Sequence, residues 1–204
     1  MSNQNPQPRI GLILSETEMY APLRGREKRV DATVRIRDGG VDFDFTVNGQ
    51  AGTFTGLHLE KSYQAASLMI DNTFIRNYSG TWPVQVEIIA SLDAFEDRAT
   101  LTLYDTRTLR AERVVVAINP DSLKIPTGNE YAQAHVQRQF YDANDIPLPF
   151  DEITETLEVV PPVPGVELEG VMISISSMPH ADKVNVRVSG PDGVSGDATL
   201  TLVK

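Results

Sequence analysis

The side chains of this chain equipped for acid–base or metal chemistry are three histidines, His58, His135 and His180, and a surplus of carboxylates. The histidines stand far apart, and none falls in an H-x-x-x-H, H-E-x-x-H or H-x-H spacing, so no local element brings two of them to one metal. Among the carboxylates, Asp42 and Asp44 share one face of a strand, Asp93, Glu96 and Asp97 gather near a turn, and Asp151, Glu152 and Glu155 fit one side of a short helix. Such pairs suit glycoside hydrolysis, and converging oxygens suit calcium, but the spacing and glycine of an EF-hand are absent from 93–97. Solvation is the plainer account in a chain with 28 acidic residues and a net charge of -10. Ser174, Ser176 and Ser177 follow a strand alternation and no G-x-S-x-G turn, while Pro191 and Asp192 make 190–196 a turn and not a phosphate loop. With no cysteine there is no thiolate site and no disulfide. The expectation is a protein without catalytic residues, metal or cofactor.

Aromatic side chains offer a different chemistry. Tyr63, Tyr78 and Trp82 are close in sequence and could form a platform on which a sugar ring stacks, although a lone Trp beside a Pro is more often a core or loop anchor. Asn77-Tyr78-Ser79 is formally a glycosylation sequon, which has no use without secretion.

Charge is distributed unevenly. Arg24, Arg26, Lys28, Arg29, Arg35 and Arg37 cluster early, whereas between Arg138 and Lys183 there are carboxylates and no Lys or Arg. Solvation accounts for both, and so does head-to-tail contact between copies, in which unlike patches select the register. The residues assigned to such contacts are Arg9, Arg24, Arg26, Lys28 and Arg29 on one side and Asp151, Glu152, Glu155 and Glu158 on the other. A net charge of -10 opposes nucleic-acid binding. Residues 1–9 carry no apolar run of a secretory leader, and no later stretch approaches the roughly 20 apolar residues of a membrane span.

Period-two alternation dominates. Val30, Ala32, Val34 and Ile36, then Val41, Phe43, Phe45 and Val47, read as two strands of a hairpin around Asp38-Gly39-Gly40. Asn48-Gly49 turns the chain into a third strand over 53–59, giving a meander. Val84, Val86 and Ile88, Leu101 and Leu103, and the run 114–118 continue the pattern. Helix is the expectation for 129–141, where Ala132, Val136 and Phe140 recur every four residues, and helix or loop for 60–70. The fold class is all-β, an antiparallel sandwich or barrel-like core with one or two short helices and a small C-terminal β extension. The domains are an extended arm over 1–9, a main β domain over 10–158, a Pro-rich linker over 159–165 and a small β region of three to four strands over 166–204.

Met69-Ile70-Asp71-Asn72-Thr73, leading through Asn77 and Gly80 to Trp82-Pro83-Val84-Gln85-Val86, resembles a segment of small structural proteins of tailed-bacteriophage particles. There an apolar-Asp-Asn turn is followed by a polar loop and a Pro-apolar-x-apolar strand. The stretch that holds it, Glu60 to Ile89, is about a seventh of the chain. It implies a non-enzymatic virion protein made in the host cytoplasm, a capsid decoration or cement protein first and a tail or connector component second. Its partners are then other copies of itself and capsid or tail proteins, with neither nucleic acid nor membrane. A β-sandwich module binding carbohydrate or another ligand is the alternative.

Overall fold

A computed structural model describes residues 11–24, 27–35, 42–48, 55–62, 64–93, 95–127, 130–176, 179 and 181–203. The chain divides into two compact units, Met1–Thr108 and Leu109–Lys204. The arm over 1–9, Arg26, Arg37, Tyr63, Ser177, His180 and the Asp38-Gly39-Gly40 turn lie outside the described residues.

In the first unit the strands are β1 (Gly11–Leu14), β2 (Glu18–Tyr20), β3 (Lys28–Arg35), β4 (Asp44–Val47), β5 (Leu57–Ser62), β6 (Ala65–Ile70), β7 (Val84–Leu92) and β8 (Phe95–Tyr104), with helix α1 (Asn72–Asn77) between β6 and β7. They form two four-stranded sheets, ordered β1-β3-β6-β5 and β2-β8-β7-β4. Alternation decides which side chains face inward: Val30, Ala32 and Val34 of β3 and Leu68 and Ile70 of β6 meet Phe45, Val86, Ile88, Leu101 and Leu103 of the other sheet in one buried core. Each fully buried Leu, Ile, Val or Phe contributes about 1.5–3 kcal/mol relative to exposure. Helix α1 begins where the Asp71 carboxylate accepts the Thr73 N–H at 2.7 Å, and it buries Phe74 and Ile75 against that core. Gly56 makes this packing possible, because its φ of +78° and the closeness of the Phe74 backbone leave no room for a Cβ.

In the second unit the strands are β9 (Arg113–Asn119), β10 (Ser122–Lys124), β11 (Ala132–Tyr141), β12 (Thr156–Val159), β13 (Val166–Glu169), β14 (Met172–Ile175), β15 (Lys183–Ser189) and β16 (Ser195–Val203). Their sheets are ordered β13-β14-β11-β9 and β10-β16-β15-β12. Val136, Phe140, Ile173 and Ile175 are buried from one sheet and Val184, Val186, Val188 and Leu200 from the other.

The two units have the same topology. Lettered A, A′ and B to G in chain order, the strands of each unit give one sheet A-B-E-D and another A′-G-F-C. In each, the first strand is divided: β1 and β9 run antiparallel to β3 and β11, whereas β2 and β10 cross to the other sheet and run parallel to β8 and β16. In the second unit Pro120, which has no N–H to continue a ladder, stands at that crossing. This is the strand arrangement of an immunoglobulin-type sandwich, present twice. Register carries the equivalence to single residues in strand G, since Thr102 pairs with Glu18 as Thr201 pairs with Ser122. Around these positions the sequence itself repeats, Ala99-Thr100-Leu101-Thr102-Leu103 against Ala198-Thr199-Leu200-Thr201-Leu202.

The all-β class holds, as a sandwich, while several finer expectations do not. The strands at 28–35 and 44–47 are not a hairpin, because β3 spends both edges on β1 and β6 and β4 pairs with β7 in the other sheet. Nor does the third strand, β5 from Leu57 on, extend a meander; it pairs with β6. The helix expected over 129–141 is strand β11: a spacing of four is even, so Val136 and Phe140 satisfy a period of two equally well, and Ala134 completes the buried row. Within 60–70, residues 60–62 belong to β5 and 65–70 to β6. Helix instead follows at Asn72–Asn77, where a turn and polar loop were expected. The boundary between units falls at 108/109 and not at 159–165; that Pro-rich segment joins β12 to β13 within the second sandwich, and the strands beyond it are half of that sandwich, not an extension.

Candidate interaction surfaces

The residues singled out for contact divide between the two units, basic ones in the first and acidic ones in the second. Lys28 and Arg29 open β3. The Arg29 guanidinium donates to Asp31 at 2.7 Å, and Asp31 also accepts from Ser67, so its carboxyl is held below the usual value first by Arg29 and then by Ser67. Arg24 also makes contacts of its own, and Arg9 lies outside the described residues. Of the acidic set, Asp151 and Glu152 sit in the single turn Phe150–Glu152. Glu158 is exposed on β12, where it adds to the larger effect of Asp197 in raising the affinity of Arg187 for its proton. Glu155 is different. It receives both the Nε and an amino group of Arg138, with the pair only 24% and 15% exposed, and the guanidinium lies over the Phe150 ring at 5.0 Å. Its second oxygen, Oε2, is buried and accepts no bond among the described residues. The arrangement ties the segment ahead of β12 to strand β11 and makes Glu155 a structural residue rather than a free surface charge.

Trp82 and Tyr78 come together with Phe74, while Tyr63 lies outside the described residues. The Tyr78 and Trp82 rings meet edge-on at 5.4 Å, Phe74 stacks on Tyr78 at 5.4 Å, and Arg107 stands 6.0 Å from the Trp82 centroid. Both Tyr78 and Trp82 are half-buried and pack on the core of the first sandwich. The cluster therefore anchors α1 and the loop into β7, with only its rim available to a ligand.

The carboxylates do not converge. Asp93 is in a turn at φ 52°, Glu96 pairs with Arg98, and Asp97 directs one oxygen to the Leu12 N–H at 2.7 Å and the other to its neighbour Arg98 N–H at 2.9 Å. Asp44 pairs with Lys61 at 2.6 Å beside an open depression lined by Asp42, Phe43 and Ser62. No three His, Asp or Glu side chains come together as metal ligands among the described residues.

Sequence reasoning missed the role of Asp97. It stands on β8, yet it reaches β1 in the other sheet. The Ser15 N–H donates to the Asp31 carbonyl, which fixes the parity of β1: residues 11, 13 and 15 turn their backbone groups towards β3, and Leu12 and Leu14 turn theirs outward. Asp97 thus caps an outward N–H at the edge of a sheet. Counting back five residues from Thr102 and from Thr201 places Gly196 at the equivalent position of the second sandwich. There no side chain intervenes, and a Cβ would come within 2.9 Å of Val114 Cγ1, 3.0 Å of Val116 Cγ2 and 3.2 Å of the Val114 carbonyl.

No protein-family model matches this chain, and no curated protein matches it in sequence. Among solved structures it overlaps tandem Ig repeats of Dlar at 11% identity and a TM-score of 0.39, covering 96% of this chain and 97% of that one. Domains 5-6 of the S-layer protein SbsC overlap at 10% identity and a TM-score of 0.35, covering 97% and 99%. The titin domains z1z2 in complex with telethonin overlap at 11% identity and a TM-score of 0.33, covering 94% and 95%. Overlap at this level assigns neither family nor function; the sandwich is established by the strand order and the shared cores.

Proposed function

We propose that the chain is a non-enzymatic structural protein that works by contact with other copies of itself or with capsid or tail proteins of a tailed-phage virion, as a decoration or cement subunit. The observation that supports assembly is where large apolar side chains are exposed. Ile13, 44% exposed, is on β1 and Val115, 46% exposed, is on β9, each the outermost strand of its sheet. Val203, 50% exposed, closes β16 beside the edge strand β10. Apolar side chains on sheet edges are the surface a protein partner covers. The phage setting rests on the resemblance of residues 69–86 alone.

Charge has a smaller part than the sequence asymmetry implies, because Arg29 and Arg138 are engaged with Asp31 and Glu155 inside the chain. Sedimentation velocity over a concentration series, at low salt and at about 1 M salt where the screening length is about 3 Å, tests this. The expected result is species above monomer mass that persist in salt. A strict monomer under both conditions contradicts self-contact and favours the second reading, a ligand-binding sandwich, for which the rim of Tyr78 and Trp82 beside Arg107 is the specific support.

A further inference from the structure

We propose that β1 is a self-pairing edge held shut by Asp97, and that a second copy of this chain is its partner, bound antiparallel β1 to β1. The inference deepens the assembly reading and rests on it. Among the described residues four sheets present eight edge strands: β1, β5, β2, β4, β10, β12, β13 and β9. Seven of them carry a charged residue, respectively Glu60 and Lys61, Glu18, Asp44, Lys124, Glu158, Glu167 and Glu169, and Arg113 for those after β1. Self-pairing of such a strand brings its own charges near one another, which is how sheet edges are kept from associating. Of these edges only β1, Gly11-Leu12-Ile13-Leu14, has none.

The parity of β1 sets the geometry of pairing. Leu12 and Leu14 direct their backbone groups outward, so a two-fold centred on Ile13 lets Leu12 of each copy exchange hydrogen bonds with Leu14 of the other. Ile13 then faces Ile13 across the axis with Cα atoms about 4.5 Å apart, the closer kind of antiparallel pair. Its side chain is already on the outer face and exposed. What stands in the way is the Asp97 carboxylate, which occupies the Leu12 N–H and sets a negative charge at the edge. In the second sandwich the counterpart edge, β9, carries no such carboxylate, since at Gly196 strand β16 lies directly against Val114 and Val116.

The test compares the wild-type chain with Asp97→Ala by light scattering and circular dichroism. Removing the carboxylate should leave the fold and lower the concentration of half-dimerisation about tenfold or more, and adding Ile13→Lys should reverse the gain. Because the chain has no cysteine, Ile13→Cys is a clean probe: with oxidised glutathione added as the oxidant it should form a disulfide between copies, faster in the Asp97→Ala background. Should Asp97→Ala not fold, Asp97→Asn retains the size and weakens the acceptor, and the same ordering of cross-linking rates is expected. A folded Asp97→Ala chain with unchanged mass, and no disulfide between copies once Ile13→Cys is added to it, overturns the proposal. If the wild type meanwhile associates, the assembly reading stands through another surface; if it too is monomeric, self-contact fails with the proposal.

Discussion

Asp97 and Gly196 occupy the same position of strand G in the two sandwiches, one reaching across the gap to the first strand with a carboxylate and the other letting the two strands touch. The same architectural problem, where the divided first strand passes the last strand on its way between sheets, has been solved once by a side chain and once by its absence.

Adding bulk at Gly196 should therefore be costly. Gly196→Val places carbon where Val114 and Val116 already lie, and overpacking of this kind costs about 1–3 kcal/mol. The urea midpoint followed by circular dichroism should fall; an unchanged midpoint would mean that β9 and β16 separate without cost.

Arg138→Ala should destabilise the second sandwich by about 2 kcal/mol, because it leaves the Glu155 carboxylate largely buried without its donor. Glu155→Gln in the same chain should recover part of the loss. Equal losses in single and double variants, read from urea unfolding, would show that the pair is not coupled.

Asp71→Ala should cost about 1 kcal/mol, the usual value of an N-cap, by freeing the first turn of α1. Phe74 of that helix contacts Trp82, the single tryptophan of the chain, so the emission of Trp82 reports the change.

Acid should weaken the first sandwich before the second. Asp31, Asp44, Asp71 and Asp105 are held below the usual 3.8 chiefly by bonds from Arg29, Lys61, Thr73 and Arg107, and in the second unit Asp197 is held down by Arg187. A depressed carboxyl lends stability that is fully present above its unfolded value and is lost as pH falls through 3.8 towards the lower folded values. Each exposed pair contributes little, but four of these five groups lie in the first unit among the described residues. Urea midpoints by Trp82 emission should therefore drop more between about pH 5 and pH 3 than those of β-sheet signal from the second unit expressed alone.

The strands themselves were legible, since Val30, Ala32 and Val34, or Val184, Val186 and Val188, alternate without ambiguity and are buried as that alternation requires. Partners were not: nothing local to β3 says that it joins β1 and β6 rather than β4. The helix expected at 129–141 failed because i, i+4 spacing is common to both periods, and Ala134 was the residue that distinguished them. The duplication was written in Ala99–Leu103 and Ala198–Leu202, a repeat of five residues that passes as ordinary strand sequence until register aligns it. The contact between Asp97 and Leu12 spans 85 positions, and no pattern along the chain predicts it.

Hydrogen–deuterium exchange of the intact chain, dilute and concentrated, and with and without glycans, asks most directly whether this protein works through sheet edges or through a ligand site. The account predicts that protection rises with protein concentration at edge strands and is indifferent to glycan. Protection independent of concentration, appearing around Tyr78 and Trp82 on glycan addition, would contradict it.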